Sequence, residues 1–104
     1  MIDFYFWPTP NGWKVAMLLN ELGVEYRTIP VNIGRGEQYD PAFERISPSH
    51  RIPAIVDREP ADGGPPFALA ETAAILRYLA AHIESHILQR RRISLSETIH
   101  SRMY

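Results

Sequence analysis

The spacing of apolar residues changes twice in the first third of the chain. Ile2-Asp3-Phe4-Tyr5-Phe6 is short, apolar and aromatic, the texture of a buried strand. Pro8-Thr9-Pro10-Asn11-Gly12 ends it, because closely spaced prolines neither continue a strand nor sit inside a helix. From Trp13 the period becomes helical, with Val15, Leu18, Leu19 and Leu22 on one face. Gly23 stops that helix in the left-handed position where glycine has no steric penalty. Glu25 to Val31 reads as a second strand, with Tyr26, Ile29 and Val31 packing inward. A right-handed crossover then makes the two strands parallel.

The second half is built differently. Asn32 to Asp40 is polar and carries Gly34 and Gly36, so it reads as an exposed loop. Pro41 to Ile46 suits a short helix with proline at its first position. Ala54-Ile55-Val56 is a third strand, "REPADGGPP" a turn, and Phe67 to Ala70 a fourth strand. Strands joined by so short a turn are antiparallel. A last helix starts at Glu71, with Ile75, Leu76, Leu79 and Ile83 as its stripe. The predicted fold is α/β, a βαβ-ββα order on a four-stranded mixed sheet. One step is odd: Pro53 stands at the mouth of the third strand, where a missing backbone donor is usually avoided.

Composition narrows the function classes. The chain of 104 residues is 45 % hydrophobic, enough for one domain with a modest core. Eleven basic against 12 acidic residues leave a net charge of −1, which gives no electrostatic case for nucleic acid or a membrane as partner. No cysteine is present, so disulfides, thiolate zinc sites and a CxxC redox pair are excluded. The N-terminus has no signal-peptide pattern and no apolar run approaches a membrane span, so the expectation is a soluble, cytoplasmic protein. His82 and His86 are one helical turn apart but lack a third ligand, so no metal is expected. From His82 onward four Arg oppose two Glu, an excess of two positive charges around Arg90-Arg91-Arg92. That run is either a contact for an anionic partner or a solvated face or loose tail.

"PTPNGWKVAMLLNELG", "RISPSHRIPAIVD" and "ALAETAAILRYLA", in this order, resemble the N-terminal, thioredoxin-like domain of glutathione transferases. They are most similar to the subgroup that holds the nu-class bacterial enzymes and the yeast nitrogen-regulation prion protein. The resemblance covers residues 1–82 and leaves 83–104 as a divergent tail, partly helical or disordered. It implies that Ile52-Pro53 is cis, turning the backbone of Ile52 outward to pair with the cysteinyl unit of glutathione as one rung of an antiparallel ladder. It further implies that Glu71 and Thr72 hold the γ-glutamyl end, Thr72 at a helix start that favours a carboxylate and Glu71 on the ammonium. The family more often has Ser after this Glu; Thr keeps the hydroxyl. Thr9 and Asn11 are implied as the catalytic pair, contacting the glutathione sulfur and favouring its thiolate. Gln38 and Arg51 match positions that contact the glutathione backbone and glycyl carboxylate. Read without the family, Asn11 is equally the N-cap of the first helix, Glu71-Thr72 an ordinary helix start, and Tyr5 a core residue.

The resemblance implies a glutathione-binding domain that activates the glutathione thiol for conjugation to a small electrophile or for disulfide reduction. Transferases carry a second, all-helical domain, most of which this chain lacks. The expectations are therefore weak or no turnover, an exposed apolar patch and self-association, the family being dimeric. A non-catalytic glutathione-binding or protein-interaction module, or a truncated gene product, is the alternative.

Overall fold

The computed structural model describes residues 1–81. Strand β1 is Ile2–Phe6, helix α1 Pro10–Leu22, β2 Tyr26–Pro30, α2 Pro41–Glu44, β3 Ala54–Asp57 and β4 Phe67–Leu69. A third helix, α3, begins at residue 72 and is described through 81. The sheet order is β2-β1-β3-β4. β1 runs parallel to β2 and antiparallel to β3, and β3 is antiparallel to β4. The four-stranded mixed sheet is thus the one read from the sequence.

Alternation along the strands splits the core into two layers. Ile2 and Phe4 of β1 and Ile55 of β3 bury one face against Val15 and Leu19 of α1 and Ile75 and Leu79 of α3. On the other face Ala54 packs with Val31, Phe43 of α2 and the partly buried Tyr5. The Tyr5 ring lies 5.6 Å from that of Phe43. Burial first, and the Asp3 carboxylate second, push the Tyr5 phenol pKa up. Tyr5 is therefore a packed residue, as its place in the strand suggested.

Several boundaries differ from the reading above. α1 starts at Pro10, not Trp13, because proline at the first helical position gives up an N–H that has no intrahelical acceptor there. Asn32 to Asp40 is not a plain loop: it holds two 3-10 turns, Ile33–Arg35 and Glu37–Tyr39. The Asn32 N–H donates to Glu37 Oε1 at 2.7 Å and the Arg35 N–H to Asn32 Oδ1 at 3.3 Å, so two side chains fold the segment on itself. α2 ends at Glu44 and β4 at Leu69. Glu71 lies just outside α3 and caps it. Gly23, at φ 66°, ends α1 as expected, its N–H donating to Asn20 O at 3.2 Å. The predicted tail, with Ile83, His82, His86 and Arg90 to Arg92, lies outside the described residues.

Asp3 shows in the sequence only as a polar interruption of an apolar strand, yet it organises one end of the sheet. It is 1 % exposed and its two oxygens pair with different arginines. Arg27 of β2 reaches Oδ1 at 2.9 Å, and Arg58, just past β3, reaches Oδ2 at 2.7 Å. The arginine side chains are 61 % and 49 % exposed, so removing Asp3 would leave them hydrated, not stranded. Asp3→Ala should therefore cost the charge-assisted hydrogen bonds, about 1.5–3 kcal/mol, and not the larger penalty of an orphaned buried charge. A urea midpoint equal to that of the unchanged chain would refute this.

Candidate functional site

The register brings four chain segments to one end of the sheet. Tyr5 faces Ala54, so the chain leaving β1 toward α1 runs past the residues entering β3. Ile55 faces Leu69, so the chain leaving β4 toward α3 passes the same point. β2 runs parallel to β1, and the Val31 N–H donates to Phe6 O at 2.9 Å, so the turns carrying Gln38 also begin there. Thr9, Asn11, Gln38, Arg51, Ile52, Pro53, Glu71 and Thr72 thus come from segments that converge on one edge, although they span the chain from 9 to 72.

At the centre Ile52-Pro53 is cis, as expected from the resemblance. Pro53 is buried and Ile52 half-buried, packed with Ala70 around Val31 and Phe43. Among the described residues, neither the N–H nor the C=O of Ile52 makes a hydrogen bond. A paired donor and acceptor left open at the end of a strand can take one rung of an extended peptide. The preceding loop is held from inside: the buried Ser47 Oγ accepts the Arg51 N–H at 3.1 Å and donates to Arg51 O at 2.9 Å. Ser47 was not singled out from the sequence, and nothing local marks it.

The start of α3 separates two roles. Glu71 Oε1 accepts the Ala73 N–H at 3.1 Å and Oε2 the Ala74 N–H at 2.8 Å. These bonds hold the Glu71 carboxyl below its usual range, and the guanidiniums of Arg77 and Arg51 add to the effect. Two first-turn donors are therefore occupied by the cap. The Thr72 N–H and hydroxyl have no partner among the described residues and remain open to an anion.

At the start of α1 the cap is Thr9, not Asn11. Thr9 Oγ1 accepts the Gly12 N–H at 3.1 Å, which leaves its hydroxyl proton able to donate. Asn11 is exposed in the first turn, so its amide is not committed to capping. Gly12 is buried because the helix sits directly on the end of β1: a β-carbon there would stand 2.6 Å from Trp7 O and 3.0 Å from two carbons of the Phe6 ring. The sequence reading treated Gly12 only as a turn residue.

Gln38 is half-buried in the second 3-10 turn, and its Oε1 is buried without a hydrogen-bond partner among the described residues. A buried acceptor left unpaired is costly, and a ligand N–H would satisfy it. Arg51 is exposed. A pocket of about 590 Å³ between Pro65, Phe67 and Tyr78 lies at the opposite end of the sheet and holds none of these residues. Its size does not make it the site, because the open polar groups converge elsewhere. Among the described residues no carboxylate and histidine group is arranged for a metal ion, and no helix is long and apolar enough to cross a membrane. On α1, Trp13 and Met17 are 54 % and 69 % exposed one turn apart.

A family model described as "Glutathione S-transferase, N-terminal domain" matches residues 9–82. The chain is 58 % identical over 80 residues to the disulfide-bond oxidoreductase YfcG of Escherichia coli (strain K12), covering 77 % of this chain and 37 % of that protein. A glutathione transferase family member from Pseudomonas fluorescens, solved with two glutathione bound, aligns with TM-score 0.76 at 41 % identity, over 80 % of this chain and 36 % of that one. A glutathione transferase from Pseudomonas putida, with one glutathione disulfide per subunit, aligns with TM-score 0.73 at 40 % identity, over 77 % and 34 %. The chain thus spans little more than a third of the length of these relatives.

Proposed function

Because the chain belongs to the family of glutathione S-transferase N-terminal domains, we propose that it binds glutathione at the converging edge and favours the thiolate of the bound tripeptide. The observation that carries this reading is the open N–H and C=O of Ile52 beside cis-Pro53. The cysteinyl unit of glutathione pairs with that backbone. The γ-glutamyl carboxylate takes the Thr72 N–H and hydroxyl, and its ammonium meets Glu71. Gln38 Oε1 accepts a ligand N–H, and Arg51 faces the glycyl carboxylate with its fork of donors. The Thr9 hydroxyl and the Asn11 amide donate to the sulfur. Donors aimed at sulfur stabilise the thiolate and so lower the thiol pKa.

Disulfide reduction is the chemistry we favour, and a cysteine-free chain can perform it because thiols are supplied from outside. The glutathione thiolate attacks a disulfide, forming a mixed disulfide and releasing one thiolate. A second glutathione attacks the mixed disulfide, releasing the other thiolate and glutathione disulfide. Every thiol comes from glutathione or substrate. The name of the Escherichia coli relative and the glutathione disulfide held by the Pseudomonas putida protein support this over conjugation of an electrophile. A second reading, a glutathione-binding or protein-interaction module without turnover, is favoured by the exposed Trp13 and Met17 strip, which suits self-association or another apolar partner. A cytoplasmic location remains part of the proposal, since glutathione is abundant in reducing compartments.

Titration calorimetry with glutathione on the 104-residue chain tests the reading. Binding should be measurable at millimolar ligand, and the ultraviolet absorbance of the bound thiolate should report a lowered thiol pKa. Thr9→Ala with Asn11→Ala should return that pKa toward the ordinary thiol value of about 8.5, while Tyr5→Phe should not. Absence of heat at millimolar glutathione would remove the function and leave the family. Reduction of a small disulfide then separates the enzyme from the module.

A further inference from the structure

His50 sits in the left-handed region at φ 59°, the one non-glycine with positive φ among the described residues. Asparagine or glycine takes this conformation at lower cost than most side chains. The position instead carries an imidazole, and that ring makes two cross-segment contacts. Its centre lies 5.0 Å from the ring of Tyr39, at 52°. Its Nε2 stands 3.7 Å from Glu44 Oε1 of α2. Tyr39 follows Gln38 in the second 3-10 turn, and His50 precedes Arg51-Ile52 by one residue. The imidazole therefore spans the two segments that bring Gln38 and Ile52 to the same edge. Ser47 fixes the backbone of the 47–51 loop internally, but its bonds do not reach the turn that carries Gln38.

We propose that His50 is a positioning residue for the glutathione site: its ring ties the Gln38 turn to the Ile52 loop and keeps the two at the spacing the ligand needs. The inference rests on the proposed glutathione-binding reading and assigns no contact between His50 and ligand. Two segments that must be in register to bind lose affinity in proportion to the time they spend out of register. The ring contact with Tyr39 is the part that matters, because it reaches the segment carrying the unpaired Gln38 oxygen.

Two substitutions separate positioning from general stability. His50→Asn keeps a side chain that tolerates left-handed backbone and removes the ring, so its Tm should equal or exceed that of the unchanged chain. Its dissociation constant for glutathione should nevertheless rise roughly five- to tenfold. His50→Phe keeps a ring against Tyr39 and should return the constant to within about twofold of the unchanged chain. Amide exchange at Arg51, whose N–H is held by Ser47, should quicken in the asparagine variant without ligand and not in the phenylalanine variant. Unchanged affinity in His50→Asn, or equal weakening in His50→Phe, overturns the proposal while leaving glutathione binding intact. Absence of glutathione binding by the unchanged chain overturns the parent reading and this one together.

Discussion

Gly12→Ala should lower the Tm of this domain by about 5–15 °C, although the substitution replaces glycine by the best helix former. Two effects of opposite sign compete. Helix propensity favours alanine by roughly 1 kcal/mol in a helix interior, and less so in the first turn. Against it stands the 2.6 Å approach of the added carbon to Trp7 O, with the Phe6 ring at 3.0 Å on another side. A flexible side chain could swing away from such a contact. A backbone oxygen cannot, and the Phe6 ring is itself held by Trp13 at 5.1 Å and Phe4 at 5.3 Å. Overpacking of this kind costs about 1–3 kcal/mol, so the clash wins. The same shift would lift the first turn of α1 from the sheet and carry Thr9 and Asn11 with it. A second readout is therefore the thiol pKa of bound glutathione, which should move toward its free value. A Tm equal to or above that of the unchanged chain would mean that the helix end yields at little cost, and that the buried glycine does not fix the position of Thr9.

The contrast between Gly12 and Gly23 shows where sequence reading succeeds in this chain. Gly23 ends a periodic helix, and the left-handed cap it makes depends only on its neighbours in the chain. The parallel β1-β2 pair and the antiparallel β3-β4 pair follow in the same way, from short apolar runs and the lengths of their connections, whereas the β1-β3 pairing that joins them into one sheet is set by partners distant in sequence. Gly12, Asp3 and Ser47 have meanings set by partners that are distant in sequence or by a helix resting on a strand end. Asp3 meets residues 24 and 55 positions away, and only its intrusion into an apolar strand hints at that. The two 3-10 turns were missed because polar, glycine-containing segments look alike whether or not Asn32 and Glu37 close on each other. The proposed site was legible through the family motifs, which single out Pro53 and Glu71-Thr72 by residue type and order. The division of labour at Glu71 was not, because a carboxylate can cap or bind, and only coordinates show which donors it holds.

Glu71 allows those two roles to be pulled apart. Its carboxylate accepts two first-turn N–H groups of α3 and, in the proposed complex, also meets the ammonium of the ligand. Glu71→Asp retains a residue type that caps helices well but shortens the arm, so the helix start should survive while the carboxylate withdraws from the ligand. Glu71→Ala should lose both. Glutathione affinity should therefore fall on the order of tenfold or more in each variant, the size of a lost charge-assisted bond. Stability at neutral pH should drop in the alanine variant and hold in the aspartate one. The pH dependence has a definite sign. The Ala74 and Ala73 N–H groups lower the folded-state pKa of Glu71 beneath the ordinary glutamate value of about 4.3. The cap contribution is therefore complete above that ordinary value and is lost as pH falls through the depressed one. The stability gap between the unchanged chain and Glu71→Ala should be constant from neutral pH down to about 5 and shrink below about 4. Chemical denaturation at a series of pH values measures that gap. A gap that stays constant to the lowest pH at which the domain is folded would show that the carboxylate does not cap α3. A gap that behaves as expected, together with unchanged glutathione affinity in Glu71→Asp, would keep the cap and remove Glu71 from the binding site.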